Sequence, residues 1–549
     1  MKQTRSAYRR RLLLLVPAAL LLIGAVNDTT QSILRGFDLI GSVYRQILTE
    51  YVEEVSADEL LRAGVKGMLS TLDPYAEFIE QRENSEVDAL SRGSYGGLGI
   101  KVRQRNGTHV VSYIYEEVRP LTNLRIGDVI LRVDGVSLAD EAVTDLRPLL
   151  RGEPGTTVHL VVRRPWVSDS LDLVVRRRKV LLDPLPFAAR FNDEILYLRV
   201  SRFTKSSADS VRSYLQQAFR EGDVRGVIID LRDNPGGLLE AAVGLVDQFV
   251  APGTPIVSMR GRQPAYARSY RSSQPAISED VPLAVLVNRR SASASEIVAG
   301  ALQDLDRAVI IGDRTYGKGL VQTLVPLSHN ATLKLTTSRY YIPSGRCIQR
   351  LEYRNGATVT PESTSDNEIF YSQRLSRPLL QSNGIRPDIH VRNDTLPAAL
   401  RCIDEQDAIF HFVVQQINRH GHTAVPEISE AVKRSFREFY DSASICSESA
   451  LAAELNRLEK HAHQYGLPAE AMRSIDEFRG AFRRSIAAEF TRSWDLLHRM
   501  LRQEFIYQLS GERAGIQDAI ADDDAIRTAR TLLTDPEALE NALLESTSH

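Results

Sequence analysis

Three short segments of this 549-residue chain carry side chains whose type and spacing could do covalent chemistry. The first is SASASEIVAG, Ser291 to Gly300, directly after the apolar run VPLAVLVN. Ser293 with Glu296 three positions on fits a capping box at a helix start. A serine at such a corner is also exposed beside the next backbone N–H. Ser293 could therefore attack a carbonyl while the N–H of Ala294 holds the developing oxyanion. A serine hydroxyl needs a base to do this; no histidine is tied to the corner by a motif, and no G-x-S-x-G occurs. The second segment is DNPGGLL, Asp233 to Leu239. Pro235 fixes one dihedral, Gly236 and Gly237 let the backbone approach a ligand, and the helix that follows offers free N–H groups. It reads as half of an oxyanion hole or as a plain strand-to-helix turn. The third is GDRTYGKGLVQTLVPL, which imitates a phosphate-binding loop at Gly312, Gly317 and Lys318. Gly319 stands where that loop needs Ser or Thr, and the pattern after it is a strand rather than a helix, so a nucleotide site is rejected. A lysine between two glycines at a strand entrance is better aimed into a crowded site.

The elements that must position these residues are strands alternating with helices. ILYLRV, GVIIDLR and VPLAVLV read as buried strands; Ser206 to Arg220, LLEAAVGLVDQFV and EIVAGALQDLD read as helices. Stacked βα units around a largely buried sheet follow. Leu320 to Leu327 reads as a strand, and the polar stretch Glu352 to Ser382 as an exposed insertion.

Upstream, residues 93–180 change character. SYGGLGIKVRQRNGTHVVSYI alternates around Asn106-Gly107, a hairpin signal. IGDVILRVDGVSL holds a strand, a turn at Asp134-Gly135 and a second strand; Ala142 to Leu150 reads as a short helix and TVHLVVRR as the closing strand. This order resembles a PDZ domain. The backbone of Gly97, Leu98, Gly99 and Ile100 could form a nest for a terminal carboxylate, with the adjacent strand edge open to an extended peptide; otherwise these glycines only make a tight turn.

The remaining segments set the boundaries. Five basic residues in MKQTRSAYRRR precede the 15-residue apolar run Leu12 to Val26, so residues 1–27 read as a secretory signal or a membrane anchor, with membrane contact if the segment is retained. Residues 28–92 read as helical, with Phe37, Ile40, Val43, Tyr44, Ile47 and Tyr51 at helical spacing and Pro74 as a stop. Residues 398–549 are rich in Ala, Leu, Glu and Arg and read as an all-helical domain. Its apolar stripes read as internal packing, with a homo-oligomer interface or an adaptor surface as the alternative. A net charge of −2 gives no general attraction to nucleic acid. The eleven histidines show no metal-type spacing, and three cysteines exclude a disulfide scaffold; Cys402 and Cys446 could pair in an oxidising compartment. Cys347 reads as a packed thiol, and Arg346 as a residue that holds a strand end.

VNRRSASASEI, DRTYGKGLVQ, LKLTTSRYYIPSGRCIQ and GIRPDI together resemble the carboxyl-terminal processing peptidases of bacteria and plastids. The resemblance covers roughly residues 30 to 395. It implies that Ser293, the middle serine, is the nucleophile, that Lys318 is its base and that Gln322 assists. The same resemblance makes the segment from Asp230 to Gly237 the oxyanion side. The segment before IGD, here EEVRPLTNLR, is shorter than is usual in the family.

The chemistry can be argued from the residues. An ordinary lysine, with a pKa near 10.4, is almost wholly charged at pH 7, so a lysine base must be stripped of its proton by burial, at about 4 kcal/mol for a shift of about three units. Lys318, Leu320 and Gln322 alternate along a strand, which would put the amide on the lysine's side. The fold expected is multidomain α+β: a βα-unit protease core, residues 181–397, with an inserted PDZ-like domain, an N-terminal helical segment and a C-terminal all-helical domain. The function expected from the resemblance is a serine endopeptidase, without metal or cofactor, that binds C-terminal tails of exported proteins in a bacterial periplasm or envelope and cleaves through an acyl-enzyme. The alternative is a catalytically weak PDZ scaffold that binds protein C-termini.

Overall fold

The structure is a computed structural model that describes residues 30–80, 86–105, 107–138, 145–165, 167–350, 352–354, 357–359, 368–380, 383–391, 396–420, 424–442 and 450–545. The apolar run Leu12 to Val26 and Cys446 lie outside these residues. No helix among the described residues is long and apolar enough to cross a membrane.

Of the described residues, 30–78 form a unit of their own together with 353–354 and 357–359. Helix α1 (residues 30–50) is followed by α2 (Ala57–Leu69), which Ser56 caps by accepting the N–H of Glu59. The Tyr44 hydroxyl donates to the carbonyl of Ala57 and ties the two helices. Within this unit the expected apolar stripe is exposed: Phe37 is 72% accessible, and Ile40, Val43 and Tyr51 also face outward.

The second unit begins with an inserted β-domain. Its strands β1 (Ile100–Arg105), β2 (Thr108–Ile114), β3 (Val129–Val133), β4 (Thr157–Arg163) and β5 (Ser170–Arg176) pair in chain order, all antiparallel. β1 and β2 pair with Arg105 opposite Thr108, as the hairpin expected there requires; Asn106 itself lies outside the described residues. Asp134 and Gly135 both take positive φ, 46° and 84°, in a two-residue turn after β3. The strand TVHLVVRR does not close the sheet, because β5 adds beyond it. The described helix here is only Arg147–Leu150. Val111, Ile130, Val133, Leu160 and Val162 fill the core of this domain. Ser94–Gly97 and Arg178–Leu181 pair antiparallel, so the domain enters and leaves on one two-stranded neck.

The main sheet is built from β6 (Phe187–Arg190), β7 (Ile195–Arg199), β8 (Gly226–Asp230), then β11 (Leu283–Val287), β12 (Val309–Gly312) and β15 (Ile389–His390), in that spatial order. All neighbours after the β6–β7 pair run parallel. The central strands β8, β11 and β12 are buried at every position, which is why they read as unbroken apolar runs rather than as alternation. Helices α3 (Ser207–Glu221), α4 (Leu239–Val246) and α5 (Ala294–Asp304) cover one face. A second sheet pairs β9 (Pro255–Gly261) with β10 (Arg268–Arg271) and with β14 (Thr332–Tyr341), which also pairs β13 (Leu320–Pro326).

The insertion expected over Glu352 to Ser382 is partly packed instead. Ile369–Tyr371 and Pro378–Leu380 form a hairpin, and the buried Arg377 pairs with Asp306 at 2.5 Å and Asp388 at 2.6 Å. A buried arginine needs both carboxylates, and neither partner is adjacent in sequence.

The C-terminal region is helical as expected. Helix α6 (Ala408–His420) and helix α7 (Trp494–Ala519) contribute Phe412, Leu497, Leu501 and Phe505 to a core with Phe436 and Phe490; Cys402 is buried there. The domain grips its neighbours in two places. Glu512 pairs with Lys101 at 3.1 Å and Asp407 with Arg103 at 2.8 Å, while Phe410 and Val414 pack on Val110 and Val129 of the β-domain. Helix α8 (Asp524–Thr534) lays Ile526, Ala529 and Leu533 on the face of the main sheet opposite α5.

Candidate active site

The corner after β11 is held by its outer serines. Ser291 Oγ donates to the carbonyl of Leu231 at 2.8 Å and accepts the N–H of Asn288 at 2.9 Å. Ser295 Oγ donates to the carbonyl of Asn234 at 2.9 Å, and the Ala292 N–H reaches the same oxygen at 3.0 Å. Both serines are fully buried, and the loop after β8 is thereby stitched to the start of α5. Ser293, between them, is half-buried with φ 56° and ψ −114°. A non-glycine residue held there costs about 1–3 kcal/mol, a strain that the stitching supports.

Glu296 lies one turn further and is completely buried. Its Oε2 accepts the N–H of Ser293 at 2.8 Å and the N–H of Lys318 at 2.8 Å. Its Oε1 accepts the N–H of Gly317 at 2.7 Å and the hydroxyl of Thr315 at 2.5 Å. Burial pushes this carboxyl above the usual glutamate range, while the four donors pull the other way. Because one oxygen serves both amides, the nitrogens of Ser293 and Lys318 are no more than twice 2.8 Å apart.

The rest of the Lys318 backbone is equally held. Its carbonyl accepts the Tyr340 hydroxyl, and the next N–H, of Gly319, donates to Gln349 Oε1 at 2.7 Å. The flanking glycines are steric requirements. A Cβ on Gly317, at φ 87°, would fall 2.5 Å from Arg350 Cβ, and one on Gly319 would fall 2.8 Å from Gln349 N.

Gly236 faces the corner directly: a Cβ there would lie 2.8 Å from Ser293 Cβ and 3.0 Å from the nitrogen of Ala294. Its own N–H donates to Asn234 Oδ1 at 2.9 Å. Phe203 bridges its neighbours, donating to the carbonyl of Gly236 and accepting from Leu238. The N–H groups of Gly237 and Ala294 have no acceptor among the described residues. Under this loop the fully buried Asp230 accepts from the Tyr197 hydroxyl at 2.7 Å and pairs with Arg199 at 2.8 Å and Arg232 at 2.7 Å. Burial works to raise its carboxyl, but Arg232 and Arg199 outweigh it and hold the group well below the ordinary aspartate range.

Comparison with known proteins identifies the family of the chain. Residues 194–362 match the model of peptidase family S41. Residues 399–533 match one described as the C-terminal helical domain of a probable PDZ-protease, and residues 23–83 match the N-terminal domain of the activating protease CtpB. A carboxy-terminal-processing protease of Bartonella bacilliformis is 34% identical over 352 residues, covering 63% of this chain and 79% of that protein. The chain belongs to the carboxyl-terminal processing peptidases. A probable CtpA-like serine protease of Staphylococcus aureus is 28% identical, covering 64% of this chain and 68% of that one. A photosystem II D1 C-terminal processing protease of known structure is 26% identical with a TM-score of 0.37, covering 66% of this chain and 94% of that one. The protein is thus a serine-type peptidase with protein substrates.

Other residues singled out in the sequence of this peptidase fall in two places. Gln322 lies on β13, and its amide stands 3.4 Å from the carbonyl of Leu320 and 3.4 Å from Thr336 Oγ1. A bulge between Val321 and Gln322 interrupts the even alternation from which its direction was expected. Gly97, Leu98, Gly99 and Ile100 form a second locus, at the start of the edge strand β1. Gly97 and Leu98 are buried, and Gly99 has φ 64° with Val118 Cγ2 only 2.5 Å from where a Cβ would stand. Arg346 has the structural role expected, but it holds the end of helix α5 rather than a strand end, donating to Asp304 at 2.7 Å and Gln303 Oε1 at 2.6 Å.

Glu296 as a joint acceptor, Tyr340 and the Asp230–Arg232 pair were not found from the sequence as site residues. For Glu296 a signal was available: an acid in the first turn of a helix, followed by the unbroken small and apolar run Ile297 to Leu302, is set to be buried and must find donors.

Proposed function

We propose that the peptidase cleaves peptide bonds with Ser293 as nucleophile and Lys318 as general base, and selects substrates by their C-terminal tails. The carrying observation is the shared Glu296 oxygen, which keeps the two backbones together. The lysine amine, unprotonated, takes the Ser293 hydroxyl proton as Oγ adds to the substrate carbonyl. The oxygen of the tetrahedral intermediate is met by the N–H groups of Ala294 and Gly237, which have no acceptor among the described residues. Gly236, whose N–H is turned to Asn234, serves by its missing side chain. The intermediate collapses, the leaving amine takes the proton from the lysine, and an acyl-enzyme remains. Water, deprotonated by the same lysine, releases the new C-terminus. Gln322 shapes the site beside the base.

The inserted β-domain acts in this reading as a PDZ domain. β1 is an edge strand, so an extended tail can add to it by main-chain hydrogen bonds, with its carboxylate at Gly97 to Ile100. Export to a bacterial envelope completes the proposal: it follows from the charged and apolar N-terminus.

The test is hydrolysis of an unstructured protein by the wild type, Ser293→Ala and Lys318→Ala. Each variant should lose on the order of a thousandfold or more in rate, with folding intact and no effect of ATP. Undiminished hydrolysis by either variant would exclude the mechanism, and a tail-binding protein inactive in all three forms would be the scaffold instead.

A further inference from the structure

We propose that Asp523, in the C-terminal helical domain, is a positioning residue for the oxyanion segment and acts through Arg232. The inference rests on the reading of Gly237 and Ala294 as oxyanion donors and gives the helical domain a part in it.

Arg232 is the second residue past the end of β8, inside the loop that carries Gly236 and Gly237. Its side chain is only 13% exposed and bridges two carboxylates. One is Asp230, the buried acid at the strand end, with Arg232 Nη2 at 2.7 Å and Nε at 3.0 Å. The other is Asp523, with Nη1 to Oδ2 at 2.6 Å, 291 positions away in the chain. Asp230 is also shared with Arg199 and the Tyr197 hydroxyl. Arg199 has a second carboxylate in Asp233, at 3.1 Å, whereas Arg232 without Asp523 would be left with Asp230 alone, which it shares with Arg199.

Asp523 is held from both sides. It caps α8, its Oδ1 accepting the N–H of Ile526 at 3.0 Å while Oδ2 takes Arg232. Helix α8 is seated on the back of the sheet so closely that a Cβ on Gly226, the first residue of β8, would lie 2.9 Å from Leu533 Cβ. The helix therefore delivers a carboxylate to the C-terminal end of β8, where the loop begins, and the loop in turn is stitched by Asn234 to the serine corner. A small displacement of Arg232 would be felt at Gly237, where donors must lie within about 3 Å of the developing charge.

Two substitutions separate the ion pair from the cap. Asn and Ser cap helices about as well as Asp, so Asp523→Asn and Asp523→Ser remove the charge and keep α8 capped. Asp523→Glu retains the charge. Rates are measured on a short peptide, normalised to the fraction of enzyme labelled by a serine-directed phosphonate. We expect Asp523→Asn and Asp523→Ser to lower kcat at least fivefold with KM within twofold, and Asp523→Glu to recover at least half of the loss. Affinity for a peptide aldehyde, whose adduct needs the oxyanion donors, should fall in parallel with kcat. Unchanged kcat in both neutral variants would overturn the inference, as would a loss accounted for wholly by a smaller folded fraction. Ser293→Ala is run alongside: if it is inactive while Asp523→Asn is normal, the inference fails and the dyad stands; if Ser293→Ala still cleaves, both fall.

Discussion

The backbone amides of Ser293 and Lys318 end on the same atom, Oε2 of Glu296. Neither residue is near the other in the chain, and no contact between their side chains is needed to keep their backbones in register. Helix α5 supplies the serine at its cap and the carboxylate one turn later, so a single rigid element sets both the nucleophile and the acceptor that draws in the lysine segment. Hydrogen bonds to a charged group are worth about 1.5–3 kcal/mol each, and Glu296 accepts four.

Glu296→Gln should therefore injure both fold and rate. The amide keeps one acceptor oxygen and turns an NH2 toward N–H donors, leaving at least one buried donor unmet, at about 1–3 kcal/mol. kcat/KM should fall on the order of a hundredfold, or about 2.7 kcal/mol in the barrier. A thermal melt and initial rates on one peptide check both.

Acid should affect activity before it affects folding. Burial raises the Glu296 carboxyl, and a group with a raised folded pKa favours folding most below its unfolded value, near 4.3, an advantage lost as pH rises through the folded one. Protonation thus does not cost stability at this residue, but it removes an acceptor from Ser293 or Lys318. Asp230 behaves oppositely: its depressed carboxyl stabilises the fold above about pH 4, and that stability is lost as pH falls toward the folded value. As pH falls from neutrality toward the ordinary glutamate value near 4.3, the rate should decline while the melting temperature holds. A parallel decline of both would contradict this assignment.

The three serines of the corner should separate cleanly. Ser291→Ala takes the acceptor from the Asn288 N–H and one of two donors from the Leu231 carbonyl, and should cost about 1–3 kcal/mol of stability; Ser295→Ala takes one of two donors from the Asn234 carbonyl, which keeps the Ala292 N–H, and should cost about 1 kcal/mol, both with partial activity kept. Ser293→Ala should be inactive with little change in stability. Ser293→Gly should be inactive and more stable by about 1 kcal/mol, since glycine carries φ 56° without strain. Melting curves of the four variants decide the ordering.

Gly236→Ala should abolish turnover. φ at this position is 103°, and the added methyl would press on Ser293 Cβ and the Ala294 amide, 2.8 and 3.0 Å away. The dihedral alone costs about 1–3 kcal/mol. Binding of a substrate tail to the β-domain should be unaffected, so measuring tail affinity and hydrolysis on one preparation separates a local clash from general misfolding.

Where sequence and structure agree, the signal was local. The runs that became β8, β11 and β12 are apolar throughout because both faces are covered, and Ser293 stands where a strand stops and a helix starts. What was hidden depends on tertiary closure. Glu296 three positions after a serine looks like half of a capping box, and its other donors arrive from residues 315 to 318 only once the sheet has formed. Arg377, in a stretch of polar residues, gave no sign that Asp306 and Asp388 would bury it. The bulge at Gln322 shifts the alternation by which its direction was read. Asp523 is one of several acids near the C-terminus, and nothing in its neighbours marks Arg232 as its partner.

The two-stranded neck allows a direct test of tail recognition. Gly97 and Arg178 are opposed residues of one antiparallel pair, so their Cα atoms are about 5 Å apart and a loop of about two to four residues can close the gap. Replacing residues 98–177 with such a loop removes the whole sheet of the β-domain and leaves the paired neck intact. A deletion ending at Arg164 would instead leave β5 without its partner β4. Excision uncovers Phe410 and Val414 of α6, so both are changed to polar residues in the same variant to keep it soluble. If the domain selects tails, hydrolysis of a short peptide should stay within about tenfold of the intact enzyme, while cleavage of a folded protein bearing an unstructured C-terminal tail should fall on the order of a hundredfold. The asymmetry reflects effective concentration: a tail held on β1 keeps the rest of its chain near Ser293, an advantage a short peptide never had. Equal losses on the two substrates would mean that the β-domain supports the core without choosing what it cuts.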